Sequence, residues 1–124
     1  MIPYGRQSID EKDVKRVVRV LRSDFITQGP AINKFEKDLA YYCGAKYAVA
    51  VSNGTAALHL AYLALGLKNG DEAVTTPNTF AATANMILAV GAKPVFSDIR
   101  LDTYNIDENK IASCITKRTK VIVP

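Results

Sequence analysis

"AVAVSNGTAALHLAYLAL", residues 48–65, changes rhythm partway through. It opens on alternating small and β-branched residues and closes on apolar residues at helical spacing, with Ser52, Asn53, Gly54 and Thr55 between. Alternation predicts a strand over "YAVAVS", 47–52, and the 3.6-residue period predicts a helix from 55 to about Gly66. Nothing bulky stands at the junction. A simple turn does not require four small hydrogen-bonding residues, so their presence there calls for a reason.

Outward from this junction the same alternation continues. "KNGDE" reads as a turn, "AVTTP" (73–77) as a second strand, "TFAATANMILAVG" (79–91) as a helix and "KPVFSDI" (93–99) as a third strand. "IDENKIASCI" (106–115) is an expected helix with acids in its first turn, and "KVIV" (120–123) a fourth strand. Strands alternating with helices at this spacing imply βαβ units and a parallel sheet, an α/β fold. Upstream, residues 8–23 predict a helix capped by Ser8 or Asp10, with Val14, Val17, Val18 and Leu21 on one face. "ITQGP" (26–30) interrupts, and a second helix follows with Ile32, Phe35 and Leu39 on one face and Gly44 as its stop. The expected organisation is therefore a helical segment over 1–45 and an α/β domain over 46–124. "TKVIVP" ends the chain within a residue of a buried-looking strand, so either that strand is an edge or the chain is a piece of something longer.

The chain's 124 residues suffice for one modest core. Its net charge of +4 comes from 16 basic and 12 acidic residues spread along its length. The densest basic cluster, Lys117-Arg118-Thr119-Lys120, has no interleaved aromatics, which argues against a nucleic-acid platform. Cys43 and Cys114 lie far apart without a CxxC pattern, as expected of reduced thiols packed as small hydrophobes. The start of the chain lacks the apolar core of a signal peptide, and no apolar run approaches the ~20 residues that span a bilayer. A soluble, cytoplasmic protein with no membrane partner is expected.

Ligands of parallel α/β sheets bind at the carboxyl ends of the strands. Three polar clusters fall at such ends: Ser52 to Thr55, Thr76 to Phe80, and Ser97-Asp98. At the first, the amides of Gly54, Thr55 and Ala56 with the Thr55 hydroxyl can bind a phosphate, because small residues let the anion approach a helix N-terminus. Ser-Asn-Gly-Thr is equally a good helix cap needing no ligand, and the residues alone leave both readings open. The cluster is neither GxGxxG nor a P-loop. Phe80 is either a core residue beneath the sheet or a flat face for an aromatic ligand. Asp98 either caps the next turn or faces the cleft, and spacing favours the cap. His59 reads as an ordinary helix residue, and Tyr41, Tyr42, Tyr47 and Tyr62 as core or dimer-contact aromatics.

"SNGTAALHLA" and "TTPNTFAATANMILAVGAKPVFSDI" resemble the N-terminal part of the DegT/DnrJ/StrS sugar aminotransferases. The resemblance extends through "FITQGPAINKFEKDLAYYCGAKYAVAVSNGTAAL" and "LDTYNIDENKIASCITKRTKVIVP". It implies a pyridoxal 5'-phosphate enzyme of aspartate-aminotransferase fold (fold type I), of whose large domain residues 46–124 would be an incomplete part. "YGRQSIDEKD" and "TTPNTFAATANM" are most similar to enzymes acting on UDP-4-keto-6-deoxy-N-acetylhexosamines, in surface or spore-coat polysaccharide biosynthesis. On this resemblance Gly54, Thr55 and Ala56 would hold the cofactor phosphate and Phe80 would stack on the pyridine ring. Tyr4, Gly5, Thr27, Gln28 and Gly29 would lie on the substrate side. The nucleotide-sugar substrate, glutamate as amino donor and a homodimer are implied likewise. The family's Schiff-base lysine and the aspartate paired with the pyridinium nitrogen match no position here, so no catalytic residue is assigned and the chain alone is expected to be inactive. Alternatives are a pyridoxal-phosphate sugar dehydratase of the same family, a non-catalytic remnant or partner module, and a minimal nucleotide-binding domain.

Overall fold

The computed structural model describes residues 5–124. The chain forms two compact units, one ending at Ala50 and the other running from Val51 to Pro124.

The first unit carries α1 (Glu11–Leu21) and α2 (Pro30–Tyr42). Asp10 caps α1 by accepting from the Lys12 and Asp13 amides, while the Asp13 carboxylate accepts from the Asp10 amide. This reciprocal pair fixes the start three residues inside the expected 8–23 and selects Asp10 over Ser8. Pro30 opens α2, where a missing N–H costs nothing, and the Ala45 amide closes it on the Ala40 carbonyl around a left-handed Gly44. The apolar faces were placed correctly, but Val17, Leu21 and Phe35 remain exposed and only Ala40 is buried in this unit among the described residues. A groove of about 580 Å³ opens between the helices, lined by Arg16, Arg19, Phe25 and Phe35 among others.

The second unit runs α3 (Gly54–Ala64), β1 (Glu72–Thr75), α4 (Ala82–Ala89), β2 (Lys93–Phe96), α5 (Glu108–Cys114) and β3 (Thr119–Val123). The strands form a parallel sheet in the order β2-β1-β3, with Val74 opposite Val95 and Ile122. Tyr62, Leu67, Ala73, Ile87 and Ala92 form its core, with Leu58, Met86, Val121 and Val123 packed against them. The α3 and α4 helices each end in a left-handed glycine, Gly66 and Gly91, and the Leu67 and Ala92 amides return to the Tyr62 and Ile87 carbonyls.

Several sequence expectations change. Residues 47–52 are not a strand: no ladder includes them, and the Ala50 amide donates to the Glu36 carboxylate at 2.8 Å instead. Alternation supplies a face for a strand, but a strand also needs a neighbour to take its amides. The helix expected at 79–91 begins at Ala82, which leaves Phe80 ahead of it. Tyr41 and Tyr42 are about nine-tenths exposed, and of the four tyrosines singled out only Tyr62 is buried. Cys43, at the C-cap of α2, is exposed rather than packed.

Candidate functional site

In the second unit the carboxyl ends of β1 and β2 run into the Thr76–Phe80 segment and Ser97-Asp98, respectively. The helix α3 begins where residues 52–55 lie. Asn53 is its N-cap: its backbone is extended, and its side-chain Oδ1 accepts from the Ala56 amide at 2.8 Å. Its carbonyl takes the Ala57 amide. Capping is therefore real, and Ala56 is not the free donor the sequence suggested. Among the described residues, however, neither the Gly54 nor the Thr55 amide has an acceptor. These are the first donors of a helix, aligned with its positive end. A Cβ built on Gly54 would meet nothing within 4 Å, so the space on the side-chain side of Gly54 is open. One side chain thus satisfies the helix start only in part and leaves two adjacent donors unengaged among the described residues.

Phe80 is 75% exposed, which rules out a place in the core. Its carbonyl accepts from the Thr83 amide at 2.9 Å, so its backbone is tied to the first turn of α4 while its ring faces outward. Beneath this edge, the Thr75 and Ser97 hydroxyls are buried without a partner among the described residues. Most buried polar atoms are paired, and exceptions concentrate where a ligand or water completes them. Asp98 accepts from the adjacent Ile99 amide at 2.8 Å and pairs with Lys110. The Ile99 amide, followed by the Lys110 ammonium, holds its carboxyl below the usual aspartate range. His59 is half-buried on α3 and makes no hydrogen bond through its ring among the described residues.

At the opposite end of the sheet Glu72 is buried, accepting from Thr116 Oγ1 and from the Arg118 guanidinium, each at 2.6 Å. The Thr116 hydroxyl, then Arg118 and more weakly Lys93, lower its pKa against the opposing effect of burial.

The expected substrate-side residues belong to the other unit. Thr27 and Gln28 are exposed, and Gln28 adopts φ 51°, a left-handed conformation uncommon outside glycine. Gly29 is fixed by close approach: a Cβ there would lie 2.8 Å from that of Phe25. Gly5 is exposed with open space around it, and Tyr4 lies outside the described residues. Two contacts escaped the sequence reading: Asn78 to the Tyr104 backbone, and the Tyr62 hydroxyl to the Thr83 carbonyl. Both join residues more than twenty apart, and no local pattern announces either. No helix among the described residues is long and apolar enough to cross a membrane, and no metal-binding cluster occurs among them.

The family model of the DegT/DnrJ/EryC1/StrS aminotransferases matches residues 7–124. The spore coat polysaccharide biosynthesis protein SpsC of Bacillus subtilis is 46% identical over 99% of this chain and 32% of its own length. The UDP-4-amino-4-deoxy-L-arabinose--oxoglutarate aminotransferase of Shewanella sediminis is 44% identical over the same shares. Spr1654 of Streptococcus pneumoniae, solved in PLP and PMP forms, superposes with a TM-score of 0.91 at 37% identity, covering 99% of this chain and 31% of that one. The chain spans about a third of the length of the curated relatives it matches.

Proposed function

The chain belongs to the DegT/DnrJ/EryC1/StrS aminotransferase family, and on that premise we propose that it supplies the phosphate-gripping side of the pocket for pyridoxal phosphate, the cofactor its solved relatives hold. The observation that carries this reading is the pair of unengaged amides at Gly54 and Thr55, beside open space at the start of α3. A phosphate dianion fits them: it accepts from both amides and from the Thr55 hydroxyl and is favoured by the helix dipole. Asn53 keeps the Ala56 amide, so we assign Ala56 the role of a small neighbour that lets the phosphate in. Phe80 covers one face of the cofactor ring and keeps water from it. When bound, pyridoxal phosphate carries the amino group between donor and acceptor and delocalises the charge that develops at the reacting carbon. This chain's residues hold and orient it.

The reaction we propose transfers an amino group from glutamate to a UDP-4-keto-6-deoxy-hexosamine in surface or spore-coat polysaccharide biosynthesis. The name of the Shewanella relative, with its UDP-linked 4-amino sugar and oxoglutarate, supports a nucleotide sugar and the donor pair, and that of the Bacillus relative supports the spore-coat polysaccharide setting. Tyr4, Gly5, Thr27, Gln28 and Gly29 are assigned to the substrate side, within an N-terminal helical segment (1–45) that precedes the cofactor-binding α/β part (46–124). We assign the protein to the cytoplasm as a homodimer; its two unpaired thiols suit a reducing compartment.

Titration with pyridoxamine 5'-phosphate, followed by the ligand's own fluorescence, tests the assignment. The unaltered chain is expected to bind and Thr55→Ala to bind about tenfold more weakly or worse, as for a lost hydrogen bond to a charged group. Equal binding by the two contradicts it. Borohydride reduction after mixing with pyridoxal phosphate is expected to leave no stoichiometric pyridoxyl group on any lysine of residues 1–124. Stoichiometric labelling of one lysine would make that residue catalytic and overturn the assignment of a holding role alone.

A further inference from the structure

Phe80 sits on a stretch without regular structure between β1 and α4, where an exposed ring would ordinarily swing freely. Its backbone is instead tied down on two sides. On one, the Thr79 and Thr83 hydroxyls lie 3.1 Å apart, and the Thr83 carbonyl accepts from the buried hydroxyl of Tyr62 on α3 at 3.3 Å. On the other, the Asn78 side-chain amide donates to the Tyr104 carbonyl at 3.1 Å. Tyr104 holds φ 60°, a left-handed conformation that is a true outlier for a bulky residue. Its loop is cross-linked by its own backbone. An Ile99–Ile106 bridge closes it, the Arg100 amide donates to the Asn105 carbonyl, and the Tyr104 amide donates to the Arg100 carbonyl. The Arg100 guanidinium pairs with Asp102 and Glu108. Strain persists where surroundings over-determine it, and such places cluster at ligand clamps. Here the strained residue turns its carbonyl to a side chain that steadies the segment bearing Phe80 from the side opposite the threonine pair.

We propose that Asn78 is a positioning residue, which by holding the Tyr104 carbonyl fixes the Phe80 ring in the orientation that stacks on the cofactor. The Tyr104 backbone is the anchor, and its ring takes no part. This rests on the reading that Phe80 stacks on the pyridine ring.

The test uses the full chain with pyridoxamine 5'-phosphate and reads two signals: affinity, and the circular dichroism induced in the ligand's own absorption band by a fixed chiral surrounding. Asn78→Ala is expected to lose most of the induced signal per bound ligand, with affinity reduced only about threefold because the phosphate contacts are untouched. Asn78→Asp, which keeps the size but cannot donate, should behave like Asn78→Ala. Tyr104→Gly keeps the carbonyl and suits the left-handed backbone, so it should retain the unaltered chain's signal. A full signal in Asn78→Ala overturns the proposal alone, as does its loss in a folded Tyr104→Gly, which would show the ring to be the active part. Ligand bound by the unaltered chain without any induced signal overturns the stacking reading and the proposal with it. No binding at all overturns the phosphate assignment first.

Discussion

At the amino end of the three-strand sheet the buried Glu72 carboxylate is fully engaged, with a hydroxyl on one oxygen and a guanidinium on the other. At the carboxyl end two buried hydroxyls, Thr75 and Ser97, have no partner among the described residues, and the large Phe80 ring just beyond β1 faces outward. The strands are the same and only their ends differ. The Glu72 cluster joins the start of β1 to the turn before β3, next to the irregular step in their register, and so holds strands that local sequence cannot hold. The other end leaves hydrogen-bonding capacity unused, which lowers stability but leaves donors for a ligand. Stability and the binding proposed above thus fall to opposite ends of one sheet, and substitutions should separate them.

The largest effect is expected at the satisfied end. Glu72→Ala removes the buried carboxylate on which the exposed Thr116 and Arg118 side chains converge and should lower the melting temperature by about 5 °C. A drop no larger than that of an exposed control, such as Lys37→Ala, would break the contrast. The same residue gives a pH signature. Its pKa is lowered from 4.5 in the folded chain, so its contribution is complete above the unfolded value and is lost as pH falls through the folded one. Chemical denaturation of Glu72→Gln should therefore show a deficit against the parent at neutral pH that narrows below about pH 4. A deficit independent of pH would mean that the carboxylate's charge is not what matters.

At the open end the signs change. Phe80→Ala should weaken pyridoxamine phosphate binding by about three- to tenfold, the range of a stacking contact, without moving the melting temperature. A loss of stability there would return Phe80 to the core. The smallest effect belongs to Thr75→Val, which removes an unpaired buried hydroxyl at constant shape and should raise stability by about 1 kcal/mol. Destabilisation instead would reveal a partner for that hydroxyl and blur the distinction between the two ends.

Much of this was legible in the sequence, for local reasons. Gly44, Gly66 and Gly91 mark helix ends because a left-handed residue is needed there, and Asp10 marks a start because its carboxylate reaches free amides. The strands at 72–75, 93–96 and 119–123 were each visible as short apolar runs between turn residues. The strand expected at 47–52 failed because pairing is a property of two segments and only one was being read. The stripe Val14, Val17 and Leu21 was read correctly as a face, but sequence period does not say whether this unit covers it. At the site, Ser-Asn-Gly-Thr correctly signalled a helix start. The division of labour between Asn53 and the two amides before Ala56 depends on a side-chain rotamer, which spacing cannot fix. Asn78 was invisible as an anchor because its acceptor is a backbone carbonyl 26 residues away.

The central claim is that the start of α3 grips an anion through two particular amides, and amide-resolved NMR tests it most directly. With the chain labelled with nitrogen-15 and titrated with pyridoxamine 5'-phosphate, the Gly54 and Thr55 amide protons should move downfield together and saturate with one ligand, while the Ala56 amide, already bonded to Asn53, moves least. Shifts centred elsewhere, or an Ala56 shift that exceeds both, would contradict the account.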